Sequence, residues 1–450
     1  MRFELTKEFL EELRLAIVNK DNNWIIEHIS DLHFADIADL LDQLNNEEAK
    51  FVYFQLSEDV QGDVLMELEE DVRDRFLKSL SSKEIAGQLE NLDSDDAADI
   101  LGELSDNEIL EVISQMDDNE AAEDIVELLN YDEDTAGGLM QKEFIQAKLD
   151  WPVSRCLVEL RRQAENVEKV YSIYVVDDLN RLVGLLSLKR LLFSNLKTQI
   201  RDLFTSKNII SVKTTDSNED VARVMDKYDL VAIPVVDYQN KLVGRITFDD
   251  VVDIIKDEAD KDFQMASGIS DKIESSSSVW HISRARLPWL LIGMVGGIFA
   301  ANVIAGFTDQ ISHIPTLALF IPLITAMGGN VGVQSSAIVV QSLAKSTDQL
   351  DNILKRLSKE ISVGMLNGVF LALIIYGIAT LFGNSTLGMV VSLSLFVVIL
   401  FAGIFGTLIP LLLHKYKIDP ALATGPFVTT LNDVLGLFIY FSVGMLLYSL

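Results

Sequence analysis

Along residues 1–135, leucine, isoleucine and alanine recur every three or four positions between acidic residues. Short polar runs such as Asn45-Asn46 and Asp117-Asp118-Asn119 break the pattern. That spacing predicts a series of short amphipathic helices. Asp36-Ile37-Ala38-Asp39-Leu40-Leu41 returns loosely as Asp96-Ala97-Ala98-Asp99-Ile100-Leu101. Such similarity fits helices stacked in a superhelical array, although its period is irregular.

Over residues 140–258 the pattern shifts to short apolar runs. Residues 173–184 recur 60 positions later as residues 233–244, with eight of twelve positions identical. Each copy predicts a strand, an Asp/Asn turn, a second strand and a helix, after an earlier helix at 154–164 or 218–228. From Asp249 the chain continues as a long acidic helix that places Asp250, Asp253 and Asp257 on one face. A serine-rich stretch, 267–278, then links or extends this helix toward the last part of the chain.

That last part is apolar. Residues 287–307, 314–344 and 361–413 carry no charge, and residues 418–450 carry only Asp419 and Asp433. The run at 361–413 is broken by Gly383-Asn384-Ser385-Thr386. A span needs about 20 apolar residues, so five membrane helices are expected. Arg284 and Arg286 precede span 1; Lys345, Lys355, Arg356 and Lys359 separate spans 2 and 3; Lys415 and Lys417 separate spans 4 and 5. The other two turns have no Lys or Arg. This asymmetry predicts a plasma-membrane protein with a cytoplasmic N-terminal half and an outside C-terminus. Residues 1–15 are acidic and amphipathic, unlike a secretory leader.

Charge sharpens the division. Residues 1–283 hold 62 Asp+Glu and 29 Lys+Arg, a net of −33, while residues 284–450 hold 6 and 8, a net of +2. Such a field excludes nucleic acid and attracts cations, divalent ones most. One cysteine, Cys156, excludes an intrachain disulfide and a thiolate cluster, and five histidines offer few soft ligands. The abundant oxygen ligands suit Mg²⁺, which keeps several waters and binds through one or two carboxylates.

Asp433 stands out because an ionised carboxylate at bilayer depth costs on the order of 2.5–3.5 kcal/mol or more. No basic residue is near it in sequence, whereas Thr424, Thr429 and Asn432 offer oxygens close by. Pro426 is expected to free a backbone carbonyl in span 5. The three glycines 328, 329 and 332 are expected to loosen span 2 or to allow close helix contact, with carbonyls available beside Asn330 and Gln334. Along the acidic helix, crowded carboxylates repel, and a cation between it and facing acids would lock the elements together.

The 60-residue repeat resembles a tandem pair of cystathionine-beta-synthase (CBS) domains. In that family a Ser/Thr-x-x-Asp after the second strand often holds an adenosine ribose. Thr247 and Asp250 match it in the second copy, whereas the first has Ser187 but Arg190. ATP at the second copy is one expectation, and a plain helix N-cap is the other.

The whole order resembles the MgtE family of magnesium channels and transporters. The residues that carry the resemblance are Tyr131 to Met140, Gly328 to Ser336 and Pro426 to Asp433. It implies an all-α superhelical N domain (1–135), α+β tandem CBS domains (136–200 and 201–258), a long connecting helix and linker (249–283) and a five-helix transmembrane domain (284–450). It also implies a homodimer in the lipid bilayer, with Mg²⁺ in a pore at Asp433, Asn432, Asn330 and Gly328. Cytosolic Mg²⁺ would close that pore through Asp95, Asp96, Asp99, Asp226, Asp229, Asp250, Asp253, Glu258 and Asp262, with Asp419 meeting the helix at the pore mouth. Lys261 stands where another acid is expected. Alternatives are a broader Co²⁺/Mn²⁺ transporter, a channel gated mainly by adenine nucleotide, an anion channel and a membrane sensor. The acidic half opposes anions, and a sensor needs no carboxylate at mid-membrane. No phosphate-cradling glycine loop, nucleophile–base pair or catalytic metal triad supports an enzyme.

Overall fold

A computed structural model describes residues 3, 5–164, 167, 169–207, 209–270, 273, 278–344, 353–382, 384–423 and 425–448, the side chains at 58, 59, 70, 71, 344 and 423 apart. Lys345 and Thr424, both singled out above, lie outside the described residues. The chain divides into two compact units, residues 1–256 and 257–450.

The first unit opens with α1 (Lys7–Asn19), α2 (Asn22–Ile29), α3 (Phe34–Leu41), α4 (Asn46–Tyr53) and α5 (Glu58–Glu67). α6 (Glu70–Leu77), α7 (Ser82–Leu89), α8 (Ser94–Gly102), α9 (Asp106–Ile113) and α10 (Asn119–Leu128) follow. The polar breaks seen in sequence are caps. Asn45, Ser81 and Ser105 each begin a helix with a reciprocal capping box to the Glu three residues on. Such short helices are marginal alone, so packing must hold them. α3 packs on α5, α5 on α7 and α7 on α9, while α4 packs on α6 and α8 on α10. From α3 to α10 most helices therefore rest on the next but one, which is the expected superhelical stacking.

Two three-stranded sheets follow. β1 (Ile145–Lys148), β2 (Ile173–Val176) and β3 (Leu182–Leu186) form one; β4 (Val212–Lys213), β5 (Ala232–Val236) and β6 (Leu242–Thr247) form the other. In each, the first pair is parallel and the second antiparallel. α11 (Val153–Gln163) and α13 (Asn218–Tyr228) make the parallel crossovers, and α12 (Leu188–Leu192) follows β3. Asn180 and Asn240 adopt positive φ at matching turns, which explains the repeated Asn. α14 (Phe248–Ala266) grows directly out of β6.

Among the described residues, the second unit contains five helices long and apolar enough to cross a membrane. They are α15 (Val279–Gly306), α17 (Ile321–Ala344), α18 (Ile353–Phe382), α19 (Ser385–Lys415) and α20 (Pro426–Tyr448), with a short α16 (Thr308–His313) after the first. α19 is the central post, packing on α17, α18 and α20. Of the two alternatives expected of the glycines, close helix contact holds, since α17 runs unbroken through them; the expectation for Pro426 is corrected. Pro426 is the first residue of α20, where its missing N–H costs nothing and no carbonyl is freed.

The stacked helices also supply a stability test. Tyr53 is fully buried, and its hydroxyl lies 2.9 Å from the Gln61 carbonyl and 3.1 Å from Gln88 Oε1. Tyr53→Phe should destabilise the N-terminal helices by about 1–2 kcal/mol through unsatisfied polar atoms, and Tyr53→Ala by about 3–5 kcal/mol. Pulse proteolysis of the full chain across a urea series measures both.

Candidate cation sites

The membrane unit holds a cavity of about 470 Å³ walled, among the described residues, by α17 and α20. Thr325, Gly329, Asn330, Val333 and Gln334 line it from α17, and Thr429 and Asp433 from α20. Glycines make this wall possible. A Cβ at Gly332 would fall 1.9 Å from Asn432 Nδ2, and one at Gly406 on α19 would fall 2.5 Å from the Gly332 carbonyl. One at Gly329 would stand 3.1 Å from the Thr429 methyl. The motif therefore serves close approach of three backbones.

Asp433 is half-buried and makes no ion pair among the described residues. Asn330 is exposed to the same cavity. Asn432 and Gly328 are placed differently. Asn432 is 2 % exposed and donates from Nδ2 to the Gly328 carbonyl at 3.2 Å, clamping α20 to α17. Neither lines the cavity.

Below this wall, α14 ends against the start of α20. A Cβ at Gly268 would meet Pro426 at 2.7 Å, and one at Gly425 would meet the Ala266 carbonyl at 2.5 Å. Both glycines have positive φ, +79° and +58°, so only glycine suits these turns. Asp419 is exposed, and its carboxylate accepts from the Ala421 N–H at 2.8 Å. Gly425 and Pro426, absent from the expected contact set, approach the end of α14 and the turn just after it.

In the first unit, carboxylates gather where α8, the segment 141–143, β6 and the start of α14 meet. Asp95 and Asp96 lie in the first turn of α8, and Asp249 and Asp250 in the first turn of α14. Each pair suits its own helix dipole, but the two turns crowd one another. Burial, then Asp96 and Asp250, hold the Asp95 carboxyl well above the usual range. Burial, then Asp250 and Asp93, push Asp96 up to about 7. Asp99, on the accessible rim, rises to about 6 through desolvation and Glu133. Burial raises Asp250 as well, against the lowering effect of its bonds from Thr247.

Asp95 is 6 % exposed, and its Oδ1 has no hydrogen-bond partner. Its other oxygen accepts from Gln141 Nε2 at 3.3 Å, and Gln141 Oε1 accepts from buried Arg245 Nε at 2.6 Å. Lys142 N donates to Ser94 Oγ at 2.8 Å. Gln141, Ser94 and Arg245 were not expected from sequence, since nothing local marks a bridge between helix and sheet. Asp93 was missed too, although it adjoins the acids that were selected.

Among the described residues no three carboxylates or histidines converge as a metal-ligand set. The orphaned Asp95 oxygen between raised carboxyls nevertheless fits a divalent ion that keeps most of its waters. Asp226 and Asp229 lie exposed at the end of α13, and Asp253 is exposed on α14. Glu258 bonds Lys261 at 3.0 Å, and Asp262 is half-buried on the last turns of α14. Thr247 Oγ1 donates to Asp250 Oδ2 at 2.7 Å and its backbone N–H donates to the same oxygen at 3.3 Å, the half of a capping box in which the acid reaches back to the residue before the helix.

Comparison with known proteins agrees across the chain. A family model described as MgtE, divalent cation transporter, matches residues 321–443; MgtE intracellular N domain matches 32–134; CBS domain matches 136–196 and 200–257. "Magnesium transporter MgtE" of Enterococcus faecalis is 37% identical, covering 71% of this chain and 70% of the relative. The protein of the same name from Thermus thermophilus is 36% identical, covering 72% of each, and that from Bacillus subtilis 34%, covering 70% of each. A solved structure of the cytosolic domain of the Mg²⁺ channel MgtE in complex with ATP is 33% identical, with a TM-score of 0.51, covering 54% of this chain and 99% of that one. The soluble part of a magnesium transporter is 32% identical, with a TM-score of 0.50, covering 56% and 99%. With its Asp433-lined cavity, its acidic helical array and its paired sheets, this chain belongs to the MgtE family of divalent cation transporters.

Proposed function

We propose that this chain conducts Mg²⁺ inward across the plasma membrane as a homodimer and that cytosolic Mg²⁺ closes it. The observation that carries this reading is Asp433, a carboxylate in the α17–α20 cavity with no ion pair among the described residues. Two helices wall that cavity, so a second copy would complete the path. Asp433 and Asn330 would then face a hydrated ion, because Mg²⁺ gives up its waters reluctantly. Asn432 and Gly328 act here as the clamp that sets the height of Asp433. The relatives named as magnesium transporters support the cargo. The Lys/Arg distribution supports a cytoplasmic N-terminal half and an outside C-terminus.

For the gate, the acids at the α8–α14 junction supply the physical reason. Their raised carboxyls make the compact arrangement unfavourable when ionised, and a divalent ion relieves that repulsion. Asp253, Glu258, Asp262, Asp226 and Asp229 extend the negative surface, and their ions would share the load. Shifting a gate from 1:99 to 99:1 takes about 5.5 kcal/mol of differential binding, which several weak sites can supply together. α14 carries the change to the start of α20, where Gly268 and Gly425 fix the contact.

The matched relative holds ATP. In this chain Thr247 and Asp250 would receive an adenine nucleotide once their mutual cap opens, in competition with Mg²⁺ at Asp250.

Asp433→Ala should abolish Mg²⁺ flux into proteoliposomes while the protein still elutes as a dimer, and Asp433→Asn should separate charge from shape. Wild-type flux and selectivity in Asp433→Ala would rule out the pore assignment.

The gate has a signed pH dependence. Asp96 and Asp99 have folded values of about 7 and 6, above the ordinary carboxylate range, so the compact form is favoured at low pH. It loses that advantage as pH rises through those values. In Mg²⁺-free full-length protein, protease attack on residues 1–256 should be several-fold faster at pH 8 than at pH 6, normalised to an unstructured peptide. Millimolar Mg²⁺ should protect strongly at pH 8 and little at pH 6. Neutralising Asp250, Asp253 and Glu258 together should keep flux high at high cytosolic Mg²⁺. Mg²⁺-independent protection with normal closure of the triple variant would leave these acids as a solvated surface.

Nucleotide binding is checked by equilibrium dialysis of ATP against the full-length protein. Saturable binding that Asp250→Ala weakens is expected; no saturable binding removes the nucleotide role.

A further inference from the structure

A second cavity, of about 350 Å³, lies between α17, α18 and α19, and Gln334 borders it as well as the Asp433 cavity. Its wall is mixed: Ile338, Val363 and Ile399 give an apolar side, and Arg356, Lys359 and Glu360 enter from the start of α18. Two buried atoms in this wall have no hydrogen-bond partner among the described residues, Arg356 Nη1 and Thr407 Oγ1. Thr407 is only 2 % exposed. A buried hydroxyl can be satisfied by water. A buried guanidinium nitrogen calls for an acceptor, and an anionic oxygen bonds it most strongly.

The local charges define that anion. Arg356 and Lys359 bring two positive charges, and Glu360 removes one. Glu360 Oε1 accepts from Ser335 Oγ at 2.6 Å and would lie 3.1 Å from a Cβ at Gly403, so it is turned to the α17–α19 wall. One positive charge remains, which matches a phosphodiester. Depth agrees. α17 ends at Ala344, α18 begins at Ile353 and α19 ends at Lys415, so all three ends share one membrane face. The uncharged run of α18 begins at residue 361, which puts Arg356 and Lys359 at headgroup level.

We infer that this cavity binds the phosphodiester headgroup of an anionic phospholipid, with Arg356 and Lys359 on the phosphate and an acyl chain along Ile338 and Val363. The lipid wedges between α17 and α18 and so supports the helix that presents Asn330 to the neighbouring cavity. Free phosphate shares the headgroup chemistry but lacks a use for the apolar wall.

The test equilibrates full-length protein with vesicles of equal parts phosphatidylglycerol and phosphatidylcholine, re-extracts it, and counts bound lipids by native mass spectrometry. Wild type should retain phosphatidylglycerol selectively. R356Q/K359Q should lose about tenfold or more of that retention, the scale of losing charge-assisted bonds, while R356K/K359R keeps it. If R356Q/K359Q does not elute like wild type, K359Q, at an exposed position, carries the comparison with a smaller loss expected. Retention that withstands millimolar inorganic phosphate supports the lipid. Loss of lipid from wild type on adding phosphate overturns the lipid assignment in favour of a free anion. Equal phosphatidylglycerol retention by wild type and the charge-removed variant overturns the site altogether.

Discussion

A carboxylate withdrawn from water without a cation beside it raises the energy of whatever structure holds it, and this chain arranges that situation twice. At Asp433 the apolar helices packed around it withdraw part of the water. At Asp95, Asp96 and Asp250 the packing of α8 against the start of α14 does so. In both places arginine or lysine could have neutralised the charge permanently. Arg245 instead reaches Asp95 only through Gln141, and Asp433 makes no ion pair among the described residues. In the proposed function, that charge is left for a metal ion to neutralise. That choice makes the fold conditional on its solution, a property a permanent ion pair would remove.

Placing Asp433 requires backbones to meet more closely than side chains normally allow. Gly332 is pressed between Asn432 on one side and Gly406 on the other, and the Asn432 amide then fastens α20 to the Gly328 carbonyl. The neighbouring turn of α17 is left to Asn330 and Gln334, which face the cavity. Close packing and the polar wall are therefore consequences of one sequence run, and a larger residue at Gly332 would displace both. The same helix leans on α18 through Ser335 and Glu360, so polar contacts hold it on two sides. Tight packing of this kind favours discrete arrangements over gradual deformation.

The sequence announced these features unevenly. Five spans, the repeated strand–turn–strand units and the helical array were legible because each is periodic, and periodicity is a local property. Asp433 was legible because its chemistry contradicts its surroundings. The roles of the glycines and of Pro426 were only half legible. Composition shows that a glycine permits bending or contact, but the partner that decides between them, Asn432 or Gly406, sits far away in the chain. Asn432 illustrates the same limit: adjacent to Asp433 in sequence, it points about a quarter-turn around the helix into packing instead of the cavity. The Asp95–Gln141–Arg245 bridge and the Ser94–Lys142 bond beside it had no signal in Ser94, Gln141 or Arg245, since each of these residues is ordinary until the fold brings them together.

α14 joins the two consequences. Its first turn holds Asp249 and Asp250 among the crowded acids, and its last residue touches Gly425 at the start of the helix that carries Asp433. A helix of 19 residues extends over about 28 Å and resists bending, because its backbone bonds are internal. In the proposed gate, movement at one end would become displacement or rotation at the other. The far end is also built to register it. Gly268 and Gly425 both occupy the left-handed region, and each approaches the opposing segment with no room for a Cβ. A contact this close transmits a small shift, whereas flexible side chains would absorb it. In the proposed gate, the energy comes from charge crowded at the acidic end, and the sensitivity comes from the absence of side chains at the other.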